Sequence, residues 1–557
     1  MTTPGELQVT TMANLLDARA AERPDATCLI DGERVVTWQG LRDRVGRATT
    51  VLSEMGVHRG DAVALWLPSS LEWVEIQFAL ARLGAAAVSI NPRFKLPEVE
   101  RILRRTRSVA LVLDTDYVGE EMPLEKLRTA LTPDGTRLVD CNRGRGGTES
   151  EKSRPLTLSY PHLMNLASNY AHADLGDPDL VCTMFCSSGT TAEPKIITHT
   201  QAAVTSHGVA VGAALGYSSS DCVVLDMLPL CGVFGFTTLM AAMAAGAPVL
   251  LVKTFNSEDI LDLIKRHRAT HTHGTDDMYR RLFSEARRRN WETCGGLRFG
   301  GFANFSGDPE ALVQEGADLG VVLYGVYGSS EVQALAAYRL PNGPVSERAR
   351  AGGYPVSPQM QVRARHLDTK EICGPGEIGE LEFLGPSLMA GYFDDPVMTH
   401  SAMTTDGYFR SKDLGFVEPD GSFEYLGRLD DALRLSGFLT NPREIESVIE
   451  EHPDIAAAQV VTVPSGDRDV LVAFVVPSKP SARVADDVIN HCRERMAHYK
   501  VPKHVFDVDA FPVTNSANGE KVQKERLRAM AIDRLAHIEQ VVPEHIPIAR
   551  RKPGENS

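Results

Sequence analysis

From Leu15 to about Asp174, helix-like segments alternate with short apolar runs, among them Ala62-Val63-Ala64-Leu65-Trp66-Leu67 and Val109-Ala110-Leu111-Val112-Leu113. A strand covered on both faces has no polar side to show, so such runs between helical segments predict a parallel sheet with helices packed over it. The expected fold class is α/β, with a large N-terminal body of several subdomains built on parallel or mixed sheets. The 557 residues exceed what one hydrophobic core supports, so a second, smaller domain is expected as well.

After Asp430 the pattern changes to helix, strand, strand, helix, over 443–451, 456–463, 471–476 and 484–496. This predicts a compact α+β module. Its boundary falls within Gly427-Arg428-Leu429-Asp430-Asp431, a charged stretch after a series of strands and turns. The organisation reads as an N-terminal body over 1–429, a C-terminal domain over 430–545 and a polar tail over 546–557, with a cleft expected between body and small domain. The polar, Gly-rich run 142–153 reads as a surface loop.

A net charge of −15 argues against a surface devoted to DNA or RNA, because binding a phosphate backbone needs a basic face. Phe236 to Val252 is the most apolar stretch, but Gly246 and Pro248 interrupt it and it is shorter than the roughly 20 residues that span a bilayer. It reads as a buried helix followed by a strand, with no transmembrane segment expected. Met1 to Arg19 lacks the basic start and apolar core of a secretory signal, so the expected location is cytoplasmic. The nine cysteines are scattered, without a CxxC pair, and read as free thiols.

Chemistry concentrates first where the apolar run ending at Cys186 enters Ser187-Ser188-Gly189-Thr190-Thr191-Ala192-Glu193-Pro194-Lys195. Glycine lets the backbone approach a ligand closely, hydroxyls and backbone N–H groups donate to phosphate oxygens, and Lys195 offsets negative charge. Pro194 and Ile196 stand where a Walker loop carries its second glycine and its Mg²⁺-binding hydroxyl, so this is another kind of phosphate loop or, taken alone, a Ser/Thr-rich turn. Three further segments follow: Tyr324-Gly325-Val326-Tyr327-Gly328-Ser329-Ser330-Glu331, then 406–415 with Lys412 and Asp413, then Gly427-Arg428. Near the end comes 512–524, containing Glu520, Lys521 and Lys524. Singly, each is an ordinary turn at the end of a strand.

In this order and spacing the segments resemble the adenylate-forming (AMP-binding) superfamily of acyl-CoA synthetases, luciferases and peptide-synthetase adenylation domains, over nearly the whole chain. The resemblance implies that a carboxylate is joined to AMP at the expense of ATP, with pyrophosphate released, before the acyl group passes to a second acceptor. By it, Ser187, Ser188, Gly189, Thr190, Thr191 and Lys195 would hold the β- and γ-phosphates. Tyr327 and Gly328 would lie near adenine, Ser330 near the α-phosphate, and Glu331 would bind Mg²⁺, a hard cation that takes oxygen ligands. Asp413 would accept hydrogen bonds from the ribose hydroxyls and Arg428 would contact ribose or phosphate. Asp430 would be the hinge on which a mobile small domain turns between the two half-reactions. Lys521, with Lys195, would supply the catalytic cation, because a carboxylate must attack an already anionic α-phosphate. Glu520 and Lys412 both stand where the family usually has glycine, and the first of these departures keeps Lys524 as an alternative to Lys521.

The segment 227–236 resembles the acid-pocket motif of the same family, whose CoA ligases often carry histidine where Gly232 stands. Gly232 would widen the passage to the acceptor. Amino-acid-activating domains place an aspartate after the motif's phenylalanine, whereas Gly235 follows Phe234, so an α-amino acid would lack a partner for its ammonium. Gly232, Phe234, Gly301, Phe302, Ala303, Gly325 and Val326 are the expected lining, which suits an apolar acid, aromatic, alicyclic or fatty. Three readings stand. The first is an acid:CoA ligase using ATP, Mg²⁺ and CoA; the second is an amide synthetase passing the acyl group to an amine. The third is a nucleotide-binding protein that has lost catalysis. A homodimer is compatible with each. His271-Thr272-His273 reads as strand alternation, not a zinc set with His267, and His207 reads as packed.

Overall fold

The computed structural model describes residues 10–118, 136–142, 157–167, 176–187, 195–305, 308–429, 433–435, 438–440, 442–465, 468–479, 484–516 and 519–541. The chain divides into two compact units, Met1–Leu426 with Ser516–Gly519, and Gly427–Asn515 with Glu520–Ser557. In the first unit the apolar run at 62 is the strand Ala62–Trp66, buried at every residue. It pairs in parallel with Ala86–Ser89 on one side and Ala110–Leu113 on the other, which is why it needs no polar alternation. These strands belong to an eight-stranded sheet whose far edge is formed by Val181–Ser187, Lys195–Thr200 and Gly391–Tyr392.

A second sheet of thirteen strands has at its centre the parallel ladder Val224–Asp226, His271–Thr275, Phe299–Ala303 and Val322–Ser329. Beyond Val322–Ser329 it turns antiparallel, through Gln333–Tyr338 and Gly352–Pro355 to Phe423–Arg428, with Phe409–Val417 beside the last of these. The largest apolar core joins strands of both sheets to the helices Trp38–Glu54, Leu71–Leu83, Gln201–Ala214 and Val233–Ala245. The opposite face of the large sheet packs on Ser257–His267 and Asp276–Arg288.

The most apolar stretch is the expected helix and strand, Val233–Ala245 and Val249–Leu251. Gly246 ends the helix at φ 76°, a left-handed cap that glycine adopts without a Cβ penalty. Gly235 lets this helix approach its own leading loop, because a Cβ there would stand 2.5 Å from the Pro229 carbonyl oxygen. Among the described residues no helix is long and apolar enough to cross a membrane.

The second unit follows the order expected for it. Pro442–Glu450 is helical, Ile455–Ser465 and Arg468–Pro477 form a long antiparallel hairpin, and Val484–Arg495 is the next helix. His504–Asp507 then adds in parallel to Arg468–Pro477, and Lys524–Val541 closes the chain as a helix. Asp430, the tail 546–557 and all but Asn142 of the Gly-rich run lie outside the described residues.

Candidate active site

Strands Val181–Ser187 and Lys195–Thr200 are antiparallel, with Ser187 opposite Lys195, so the hydroxyl-rich segment between them is the connection of a hairpin at the end of a buried strand. Ser188, Gly189, Thr190 and Thr191 lie outside the described residues. Lys195 is half-buried, and its ammonium stands 5.5 Å from the ring centroid of Tyr392, over the ring face that attracts a cation. Tyr392 is brought there by the two-residue strand Gly391–Tyr392, which pairs with Ile197 and Thr198. Its hydroxyl donates to Glu331 Oε1 at 3.0 Å. One aromatic side chain thus lies between the loop lysine and the carboxylate expected to bind Mg²⁺.

Glu331 sits in the turn joining Val322–Ser329 to Gln333–Tyr338, and this turn is pinned from several sides. Its N–H donates to Ser329 Oγ at 3.3 Å, and its carbonyl accepts from Met389 N–H at 2.7 Å. His199 Nε2 donates to the Ser330 carbonyl and His207 Nε2 to that of Ala334, each at 2.7 Å. Burial pushes both imidazoles down to about 4, so they are neutral and the N–H on Nε2 is the one used. Gly328 is required here, since a Cβ would lie 2.5 Å from Ala334 Cα and 2.6 Å from the Gln333 carbonyl oxygen. The Glu331 carboxylate is half-buried and pairs with no Lys or Arg among the described residues, leaving oxygen available to a hard cation. That donor chemistry fits Mg²⁺.

At the other side of the strand, Tyr327 donates to Asp413 Oδ2 at 2.5 Å. Its ring stacks on Phe383, 5.3 Å between centroids and 15° between planes, and meets the edge of Phe423 at 5.1 Å. Asp413 is buried; its N–H donates to Ser411 Oγ at 3.0 Å, and that hydroxyl donates to the Leu381 carbonyl at 2.7 Å. Between Ser411 and Asp413, Lys412 takes φ 58° at an irregularity in the pairing of 409–417 with 379–384. This is the backbone shape that the family's glycine would take without strain. Arg428 ends the strand Phe423–Arg428 and is exposed.

The expected acyl lining divides in two. Gly301, Ala303 and Val326 share one face of the large sheet with Phe234, whose ring stacks on His273 at 6.1 Å. Phe302 and Gly325 lie on the other face: Phe302 packs in the opposite core, and a Cβ on Gly325 would meet the Arg350 carbonyl oxygen at 2.0 Å. Successive side chains of a strand point to opposite sides, so Phe302 and Ala303 face opposite ways, while Gly301 and Gly325 present only backbone. Gly232, buried at φ −99°, is the residue before the helix that carries Phe234.

The histidines of His271–Thr275 are packed as expected of a strand. His271 stacks on Phe299 at 4.9 Å, and His273 meets the Tyr217 hydroxyl at 2.5 Å. Lys521 lies on the strand Gly519–Val522. Lys524 Nζ stands 3.4 Å from Oε1 of the buried Glu446. Tyr392, His199 and Tyr217 were not singled out by the sequence, because each acts through partners more than fifty residues away and carries no local motif.

Residues 16–393 match the AMP-binding enzyme family, and residues 444–518 match the AMP-binding enzyme C-terminal domain. The chain is 29% identical over 539 residues to a 3-[(3aS,4S,7aS)-7a-methyl-1,5-dioxo-octahydro-1H-inden-4-yl]propanoyl:CoA ligase of Mycobacterium tuberculosis, covering 93% of this chain and 99% of that one. It is 27% identical over 514 residues to 4-coumarate–CoA ligase 4 of Arabidopsis thaliana, covering 90% and 88%. In fold it is similar to the solved amide bond synthetase McbA from Marinactinospora thermotolerans, with a TM-score of 0.79 at 23% identity over 93% of this chain and 99% of that one. With both parts of the family matched along its length, this chain belongs to the AMP-binding enzymes and is an adenylate-forming ligase of the acyl-CoA synthetase kind.

Proposed function

We propose that the chain is an acid:CoA ligase that activates an apolar carboxylic acid. In the first half-reaction a carboxylate oxygen attacks the α-phosphorus of ATP, forming the acyl–AMP bond and expelling pyrophosphate. In the second, the CoA thiol loses its proton, its sulfur attacks the acyl carbonyl, and AMP leaves. The observation that supports the reading is the line Lys195, Tyr392, Glu331, in which one tyrosine carries a cation over its ring and a carboxylate on its hydroxyl, beside the strands that flank the expected phosphate loop. Mg²⁺ held at Glu331 would offset charge on the phosphate oxygens. Lys195, with the loop 187–191, would hold the β- and γ-phosphates, Ser330 the α-phosphate, Tyr327 and Gly328 the adenine side, and Asp413 and Arg428 the ribose. Lys521 would steady the charge moving onto pyrophosphate, and Asp430 would act as hinge before thioester formation. A cytoplasmic setting is part of the same proposal.

Lys412 supports an active enzyme over a binding protein that has lost catalysis, because its left-handed backbone keeps the bend that precedes Asp413. Gly232 favours a second reading, an amide synthetase, since the residue before the Phe234 helix presents no side chain toward an acceptor. The test is pyrophosphate release with a panel of apolar acids, with and without CoA or free amines, with products weighed by mass spectrometry. Acid-dependent release and an acyl-CoA product are expected. Amide formed with amines, and no thioester with CoA, would overturn the CoA assignment.

A further inference from the structure

The strand that begins at Lys195 also carries His199, whose side chain crosses to the turn of Glu331. His199 Nε2 stands 2.7 Å from the Ser330 carbonyl oxygen. A carbonyl can only accept, so the ring's hydrogen is on Nε2. Nδ1 is buried without a partner among the described residues, so a second hydrogen there would have nothing to bond. The ring itself is fully buried, edge-on to Phe185 at 6.0 Å. Packing alone would be served better by an apolar side chain, which leaves no nitrogen unmatched, so what an imidazole adds at 199 is this single hydrogen bond.

The bond falls on the peptide immediately before Glu331. The N–H of the same peptide donates to Ser329 Oγ at 3.3 Å, so both of its polar groups are held. The next peptide is held as well, its carbonyl by Met389 N–H at 2.7 Å and its N–H, on Val332, by Ser329 Oγ at 3.4 Å. With the planes on either side fixed, the direction in which the Glu331 side chain leaves the backbone is fixed too. The chain beyond does not hold itself in this shape. Gln333 and Leu335 stand at φ 66° and 57°, a left-handed backbone that residues other than glycine take only when their surroundings impose it. The Gln333 amide donates to the Ala203 and Ser387 carbonyls, and His207 holds the carbonyl of Ala334 between the two strained residues. The strand of His199 contributes a second tie, because the Thr198 carbonyl accepts from Ala390 N–H, next to Met389 and on the way to Tyr392.

We propose that His199 is a positioning residue for the metal: by fixing the Ser330 carbonyl it aims the Glu331 carboxylate at Mg²⁺ and keeps Ser330 in register with the strand of Lys195. It acts through the peptide backbone. The inference rests on the reading of Glu331 as the Mg²⁺ ligand and deepens it with the residue that orients that ligand.

The experiment is calorimetric titration of the full chain with ATP, once in excess Mg²⁺ and once in EDTA, with no acid present. The ratio of the two affinities reads the metal's contribution to nucleotide binding, and a smaller folded fraction does not move it. His199→Leu is expected to lower the ratio by about fivefold, the worth of one orienting hydrogen bond, while affinity in EDTA stays within about twofold. His199→Gln sets an amide N–H where Nε2 stands and should keep most of the ratio. His199→Asn sets its amide where Nδ1 stands, out of reach of Ser330, and should lose the ratio as leucine does; it takes over the test if the leucine variant does not fold. In pyrophosphate release the leucine and asparagine variants should need correspondingly more Mg²⁺, with KM for the acid unchanged. A ratio unmoved by leucine and asparagine, or lost equally with glutamine, would overturn the inference and leave Glu331 as the ligand. No gain from Mg²⁺ in the unaltered protein would sink both.

Discussion

Tyr392 donates its hydroxyl hydrogen to Glu331 Oε1 at 3.0 Å while Lys195 lies over the same ring. The carboxylate is thereby turned by a residue that itself carries no charge. Tyr392→Phe keeps the ring under Lys195 and removes the hydroxyl that donates to Glu331. The variant is expected to fold normally and to need roughly fivefold more Mg²⁺ for half-maximal pyrophosphate release, as loss of about 1 kcal/mol of orientation would give. A Mg²⁺ titration at saturating ATP reads this directly, and an unchanged curve would remove Tyr392 from the site.

Lys412, exposed where the family usually has glycine, stands at φ 58°. A side chain in the left-handed region is strained, whereas glycine is not, although glycine gives back part of the gain through its freer unfolded chain. Lys412→Gly should therefore raise stability by roughly 0.5–1 kcal/mol in urea unfolding, and Lys412→Ala should not. The backbone N–H of 412 would still reach Glu380 Oε1, now at 3.2 Å, so the bend before Asp413 is retained. Equal stability of the glycine and alanine variants would mean that the position is unstrained.

The sequence was most legible where one local rule decided the outcome. Apolar runs without alternation became strands buried on both faces, and the helix and strand after Phe236 were announced by Gly246 and Pro248. Less legible is the side of the sheet that each expected lining residue takes. Phe302 and Gly325 belong to the far side of the sheet because the strands Phe299–Ala303 and Val322–Ser329 alternate. The contact of Tyr217 with His273, on which Phe234 stacks, could not be found that way. Tyr217 meets His273 from a turn more than fifty residues away, and the pairing of 224–226 with 271–275 across a gap of more than forty residues is a property of the whole sheet.

Burial pushes His199, His207 and His271 down to about 4 and His273 to about 3. Below the ordinary imidazole value, near 6.5, the unfolded chain takes up protons that the folded chain cannot. Each histidine's contribution to stability is complete above about pH 6.5 and is lost as the pH falls toward about 4, by up to about 1.4 kcal/mol per pH unit. His207→Gln can still donate to the Ala334 carbonyl but does not titrate. The variant should lose about 1 kcal/mol less than the unaltered protein between pH 6.5 and 5.5 in urea unfolding. Parallel pH profiles would show that His207 is not held neutral.

The two lysines near the end of the chain should separate by what their loss does. Lys524 Nζ is 3.4 Å from Glu446 Oε1, and Glu446 is buried, 3% exposed, where it also accepts the Val460 N–H at 3.1 Å. Burial raises the Glu446 carboxyl, with Lys524 and Arg443 pulling the other way. Removing Lys524 leaves a buried carboxyl without its nearest cation, so Lys524→Ala should cost about 2–3 kcal/mol of stability in the second unit, with activity lost only in proportion to unfolding. Lys521, the proposed catalytic cation, makes the opposite prediction. Lys521→Ala should leave thermal unfolding within about a degree and lower acid-dependent pyrophosphate release by roughly a hundredfold or more, the usual scale for removing one cation that meets developing charge. Measuring unfolding and pyrophosphate release on both variants tests the pair together. Should Lys524→Ala be the one that stays folded and loses catalysis, the roles would have to be exchanged, and Glu520 would mark a shift of the motif by three residues.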